Sequence, residues 1–129
     1  MRILLDTHVF LWYITGDGRV DRKTRTVIEN SDAAYLSVAS VWEATIKYQL
    51  GKLPLPEPPF PWLVIQREQH GIESLAMDES TVVHLANLEA HHRDPFDRIL
   101  ICQAIQHDLQ IVTVDSHFSP YPAKLIRPA

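Results

Sequence analysis

Two short apolar runs in this chain each end directly in an aspartate: RILL at residues 2–5 before Asp6, and QIVTV at residues 110–114 before Asp115. Runs that are apolar on both faces suit strands of a parallel sheet covered by helices on either side. In such sheets ligands gather beyond the carboxyl ends of the strands, where the strand order reverses. An acid placed directly after such a strand therefore stands where a ligand would bind.

The rest of the chain alternates in the same way. Residues 8–15 predict a buried helix closed by Gly16 and Gly18, 21–30 a mostly exposed helix, and 33–38 a second strand. A helix over about 40–50 stops at Gly51, a residue that favours helix C-termini. The following loop, residues 53–61, holds five of the nine prolines and reads as a stiff connection. A helix at 62–70 capped by Gly71, a third strand at 72–75 and an amphipathic helix at 78–90 come next. A helix at 94–108 carries Pro95 in its first turn, the strand at 110–114 follows, and residues 124–127 suggest a fifth. This alternation predicts a single domain over residues 1–129, a three-layer α/β/α sandwich on a mainly parallel central sheet of four to five strands.

Composition narrows the function classes. With 46% hydrophobic and 22% charged residues, the chain has the balance of a globular protein with a core. The one cysteine, Cys102, excludes an intramolecular disulfide, which fits a reducing cytoplasm, and its place on the apolar side of the 94–108 helix predicts a core thiol. The apolar opening stretch is interrupted by Asp6 and His8 and is too short to span a bilayer, so it reads as a buried strand and helix, with no membrane association expected. A formal net charge of −4 excludes nucleic-acid binding by bulk charge. A nucleic-acid substrate would need a metal, or a local basic patch, to offset the acid. The clusters Arg19, Arg22, Lys23, Arg25 and Lys47, Lys52 are candidates, although such charges usually form a solvated face.

Two further acids, Glu43 and Asp97, fall in first turns of helices that should follow strands. Each acid has a local explanation. Asp6 could cap the first helix, and Asp115 could form a turn. Glu43 completes a capping-box pattern with Ser40 and lies four before Lys47. Asp97 suits the positive end of its helix. Yet all four occupy the positions that face one cleft in a doubly wound sheet. Carboxylates crowded there resist ionising together, and a divalent cation removes the conflict. Hard oxygen donors suit Mg²⁺ or Mn²⁺, and no Cys/His cluster at zinc spacing competes.

The segments LLDTHVFLW (4–12), SVASVWEATIKYQLGKL (37–53), HRDPFDRILICQA (92–104) and VTVDSHF (112–118) span nearly the whole chain. In these segments, taken in this order, the sequence resembles the PIN-domain ribonucleases, and more narrowly the VapC-like toxins of bacterial toxin–antitoxin pairs. The DPFDR segment and its following apolar helix is the most specific of the four. The resemblance implies that Asp6, Glu43, Asp97 and Asp115 form the acidic quartet, with Asp94 as a helix cap and Thr113 as a hydroxyl beside the metal. It also implies an RNA substrate, a cognate antitoxin protein and a homodimer.

On that basis, Mg²⁺ held by Asp6, Asp97 and Asp115, some through water, would activate a water for in-line attack on an RNA phosphodiester. Glu43 would orient or deprotonate that water, or hold a second ion. Arg98 could pair with a carboxylate or touch phosphate. The pair His91 and His92 reads as structural or exposed, and Trp12, Tyr13, Trp42 and Trp62 as packing residues rather than base-stacking platforms. The rival readings are an aspartate-based phosphohydrolase and a non-catalytic binding module. The first wants a second Asp two residues after its nucleophile, where this chain has His8. A phospho-acceptor domain wants paired acids after the first strand, which Leu5-Asp6 does not supply.

Overall fold

The computed structural model describes residues 1–89, 94–115, 118 and 124–126. His91, His92 and Arg127 lie outside the described residues. In chain order the elements are β1 (Arg2–Leu5), α1 (Thr7–Thr15), α2 (Arg22–Asn30), β2 (Ala33–Ser37), α3 (Val38–Gln49), α4 (Pro59–Gln69), β3 (Glu73–Leu75), α5 (Glu79–Asn87), α6 (Pro95–His107), β4 (Gln110–Val112) and β5 (Lys124–Ile126). The strands form one sheet in the order β3-β2-β1-β4-β5, and every pairing is parallel. The expected α/β/α sandwich is therefore present, with five parallel strands.

After the exposed Arg2 the opening run is apolar, because β1 is the central strand and Ile3, Leu4 and Leu5 are buried on both of its faces. Its side chains alternate between two cores. Ile3 and Leu5 join Val9 and Phe10 of α1, Ala44 of α3 and Leu63 of α4. Leu4, pointing the other way, joins Leu100, Ile101 and Ala104 of α6 with Ile111 of β4. Helices thus cover both faces of the sheet, and burial of each such large side chain stabilises the fold by about 1.5–3 kcal/mol.

Several boundaries differ from the sequence-based expectation. β2 ends at Ser37 and α3 begins at Val38, because the Ser37 hydroxyl accepts the Ala39 N–H at 3.1 Å and caps the helix there. Ser40 is consequently inside the helix and is not its cap, so Ser40 and Glu43 do not form a capping box. α4 begins at Pro59 rather than 62, with Phe60 in a non-helical conformation that kinks its first turn. β4 ends at Val112, two residues short of Val114, so Asp115 follows a brief extension of the strand instead of the strand itself. The glycine stops are as expected: Gly16, with φ +72, is the left-handed C-cap of α1.

Candidate active site

The strand order reverses at β1, whose successors go to β2 and β3 on one side while β4 and β5 lie on the other. The switch point is therefore the cleft beyond the carboxyl ends of β1 and β4. Asp6 stands there, between β1 and α1. Its N–H donates to the Val112 carbonyl at 3.0 Å, which ties the two strand ends together. Although Asp6 occupies the N-cap position of α1, its side chain makes no cap hydrogen bond. Its Oδ2 instead accepts from the hydroxyl of Thr113, at 2.9 Å, across the sheet. The Thr113 oxygen in turn accepts the Asp115 N–H at 3.0 Å. One fully buried hydroxyl thus joins the segments carrying two of the acids.

Glu43 enters from α3 and is 2% exposed. Its Oε1 lies 2.7 Å from Thr7 Oγ1, which is itself 2.8 Å from Ser40 Oγ. A carboxylate only accepts, so Thr7 spends its one proton on Glu43 and receives that of Ser40. The other oxygen, Oε2, is paired with the Lys47 ammonium one turn later on α3. The i, i+4 pair expected from sequence is present, but its acidic member is buried rather than on a surface.

Asp97 comes from the first turn of α6. Asp94 caps that helix as expected, its Oδ1 accepting from the N–H groups of Phe96 (2.9 Å) and Asp97 (3.4 Å). The Trp42 and Phe96 rings meet edge to face at 4.9 Å and fix the start of α6 against α3. Asp6, Glu43, Asp97 and Asp115 together line one cleft of about 360 Å³, with Asp94, Lys47, His8 and Trp12 also in its wall.

The electrostatics express this crowding. Asp97 is pushed up to about 8, first by burial and then by the charges of Asp6, Asp94, Glu43 and Asp115. Asp6 is raised as well, burial outweighing the help of the Thr113 hydroxyl. For Lys47, burial acts to lower the pKa, but the hydrogen bond and charge of Glu43, with Asp94 and Asp97 beyond, outweigh it and leave the ammonium favoured.

Among the described residues, no three His, Cys, Asp or Glu side chains stand in a ready-made ligand set. The acids share a cleft, yet Asp6 and Glu43 are turned to hydroxyl and ammonium partners. The donor chemistry nonetheless fits a hard divalent cation: several carboxylates line the cleft, and burial together with their mutual repulsion favours the protonated form of Asp97 near neutral pH.

Arg98 donates to the backbone carbonyls of Glu89 (3.0 Å) and Leu88 (3.4 Å), so it helps to seat the end of α5 on α6. Cys102 is buried, as expected. Of the aromatics taken as packing residues, Tyr13 is buried, and Trp12 and Trp62 pack against the α1-side core, whereas Trp42 is 55% exposed. Thr7 and Ser40 were not legible as site residues. Their only local signal is a hydroxyl beside Asp6 and another three before Glu43, and their contact joins positions 33 apart.

A parallel α/β/α sheet with carboxylates gathered at its switch point defines a class of acid-lined, metal-competent folds. The match is narrower than that class: the PIN domain model covers residues 3–124, and the chain belongs to the PIN domain family. It is 26% identical over 125 residues to Ribonuclease VapC22 of Mycobacterium tuberculosis, covering 93% of this chain and 95% of that protein. To Ribonuclease VapC16 of the same organism it is 35% identical over 63 residues, 48% of this chain and 45% of that protein. Its fold is similar to a chain of VapBC2 from Rickettsia felis bound to a promoter DNA fragment, with TM-score 0.75, 16% identity and 98% of both chains covered. A DNA-bound VapBC from Salmonella typhimurium gives TM-score 0.71 at 17% identity, covering 100% of this chain and 99% of that one. No helix among the described residues is long and apolar enough to cross a membrane.

Proposed function

We propose that this chain is a metal-dependent endoribonuclease acting as the toxin of a toxin–antitoxin pair. The observation that carries the reading is the convergence of Asp6, Glu43, Asp97 and Asp115, from four separate parts of the chain, on one cleft at the switch point. The relatives named as ribonucleases support the substrate class, and the VapBC complexes among similar folds support an antitoxin partner. A homodimer and a cytoplasmic location belong to the same reading, with residues 1–129 acting as one catalytic domain.

In this mechanism Asp6, Asp97 and Asp115 would hold the ion, Mg²⁺ or alternatively Mn²⁺. When bound, the cation lowers the pKa of a water and offsets charge gathering on the phosphodiester. Thr113 keeps the Asp6 carboxylate aimed across the strand ends. Glu43, anchored by Thr7, orients the attacking water or takes its proton. Asp94 acts on α6 rather than on substrate: its cap sets where Asp97 sits.

The test is cleavage of single-stranded RNA with Mg²⁺, with excess EDTA, and by Asp6→Asn and Asp97→Asn proteins whose circular dichroism matches the wild type. Loss of cleavage in EDTA, and a loss of at least a hundredfold in both variants, is expected. Undiminished cleavage by both folded variants rejects the site.

A further inference from the structure

Both oxygens of Glu43 have partners, and those partners differ in kind. Thr7, on Oε1, is 3% exposed and belongs to the first turn of a buried helix, so it is fixed in place. Lys47, on Oε2, reaches the carboxylate with a flexible stem, and its side chain is 32% exposed. A lysine head group at the edge of solvent can swing outward while its stem stays packed. One partner is permanent and the other is releasable.

The ammonium also stands in the wall of the cleft itself, beside Asp94 and Asp97 as well as Glu43. A buried carboxylate without a partner is costly, so some cation must serve it. Lys47 meets that need from within the chain. A divalent ion entering the same 360 Å³ cleft would meet this positive charge at close range, and two cations competing for one set of carboxylates repel each other.

We propose that Lys47 is a tethered counter-cation of the acidic cleft, so that loading a divalent metal is an exchange in which the Lys47 ammonium leaves Glu43. This rests on the metal-site reading above and adds a residue that governs how tightly the ion is held. The exchange frees Glu43 Oε2 to turn toward the ion and its waters while Thr7 keeps Oε1 in register. It also places the displaced ammonium at the rim of the cleft, where a backbone phosphate of the substrate would meet it.

The test is calorimetric titration of Mn²⁺ into RNA-free wild-type, Lys47→Met and Lys47→Arg proteins, with thermal melts of each in EDTA and in saturating Mn²⁺. The Met variant keeps the packed stem without the charge. It is expected to bind Mn²⁺ at least tenfold more tightly than wild type and to be less stable than wild type only in EDTA. The Arg variant, which retains a cation, is expected to stay within threefold of wild type. Equal or weaker binding by the Met variant, with Mn²⁺ still bound by wild type, overturns the exchange and leaves the nuclease reading standing. Absence of Mn²⁺ binding in all three proteins overturns both.

Discussion

Replacing Asp97 with asparagine should make the metal-free protein more stable, and increasingly so as the pH rises. Asp97 is displaced from 3.8 to about 8, by burial and then by its acidic neighbours. Between those limits the folded protein holds the proton while the unfolded chain releases it. The folded state then binds more protons than the unfolded state, so stability falls with rising pH. Below the lower limit both states are protonated and nothing is lost; above the upper limit both are ionised and the full penalty stands. Within the window the slope is about 1.4 kcal/mol per pH unit, which gives roughly 2–3 kcal/mol between pH 5 and pH 7. Asparagine does not ionise, and the variant lacks this component. For a chain of this size each kcal/mol moves the melting temperature by roughly 3–5 °C. Thermal melts in EDTA should therefore show the difference between variant and wild type shifting by about 10 °C in the variant's favour from pH 5 to pH 7. Saturating Mg²⁺ should flatten the wild-type slope, since a cation favours the ionised carboxylate. Parallel pH slopes for the two proteins in EDTA would refute the claim that crowded carboxylates burden the metal-free cleft.

Two further outcomes follow from named contacts. Thr113→Val deletes the hydroxyl that serves both Asp6 and the Asp115 N–H; it should cost about 1–3 kcal/mol in urea denaturation and weaken Mn²⁺ binding, and a change under about 0.5 kcal/mol would count against the link between strand ends. Leu100→Ala empties a fully buried position between α6 and the sheet; a loss of about 2–5 kcal/mol is expected, and a value below about 1 kcal/mol would mean that this core is looser than described.

The fold was legible because the parallel sheet writes itself into the sequence: after the exposed Arg2, Ile3, Leu4 and Leu5 are all apolar since β1 is covered on both faces. The four acids were legible as a group because strand ends and helix starts converge in such a sheet. The reasons attached to single residues were less secure. Ser37 and Ser40 both precede a helical pattern, and sequence did not distinguish which hydroxyl the first turn would bend toward. The earlier one caps α3, which frees Ser40 to support Thr7. In the proline-rich segment, Pro59 already starts α4 and Phe60 interrupts it, so reading residues 53–61 as a stiff loop placed the start too late. The Thr7–Glu43 hydrogen bond joins positions 36 apart and leaves no periodic trace.

The sheet order has a consequence for when this cleft comes into being. The central strand is made well before its neighbour β4 and the helix carrying Asp97, which lie about 90 residues or more further along the chain. A polypeptide still on the ribosome, with only its first 89 residues emerged, carries Asp6 and Glu43 and neither of the acids that oppose them. Until α6 and β4 emerge it holds half a set of carboxylates beside an unpaired edge of β1. Under the proposed function, the acidic cleft is therefore incomplete toward RNA until α6 and β4 have both emerged.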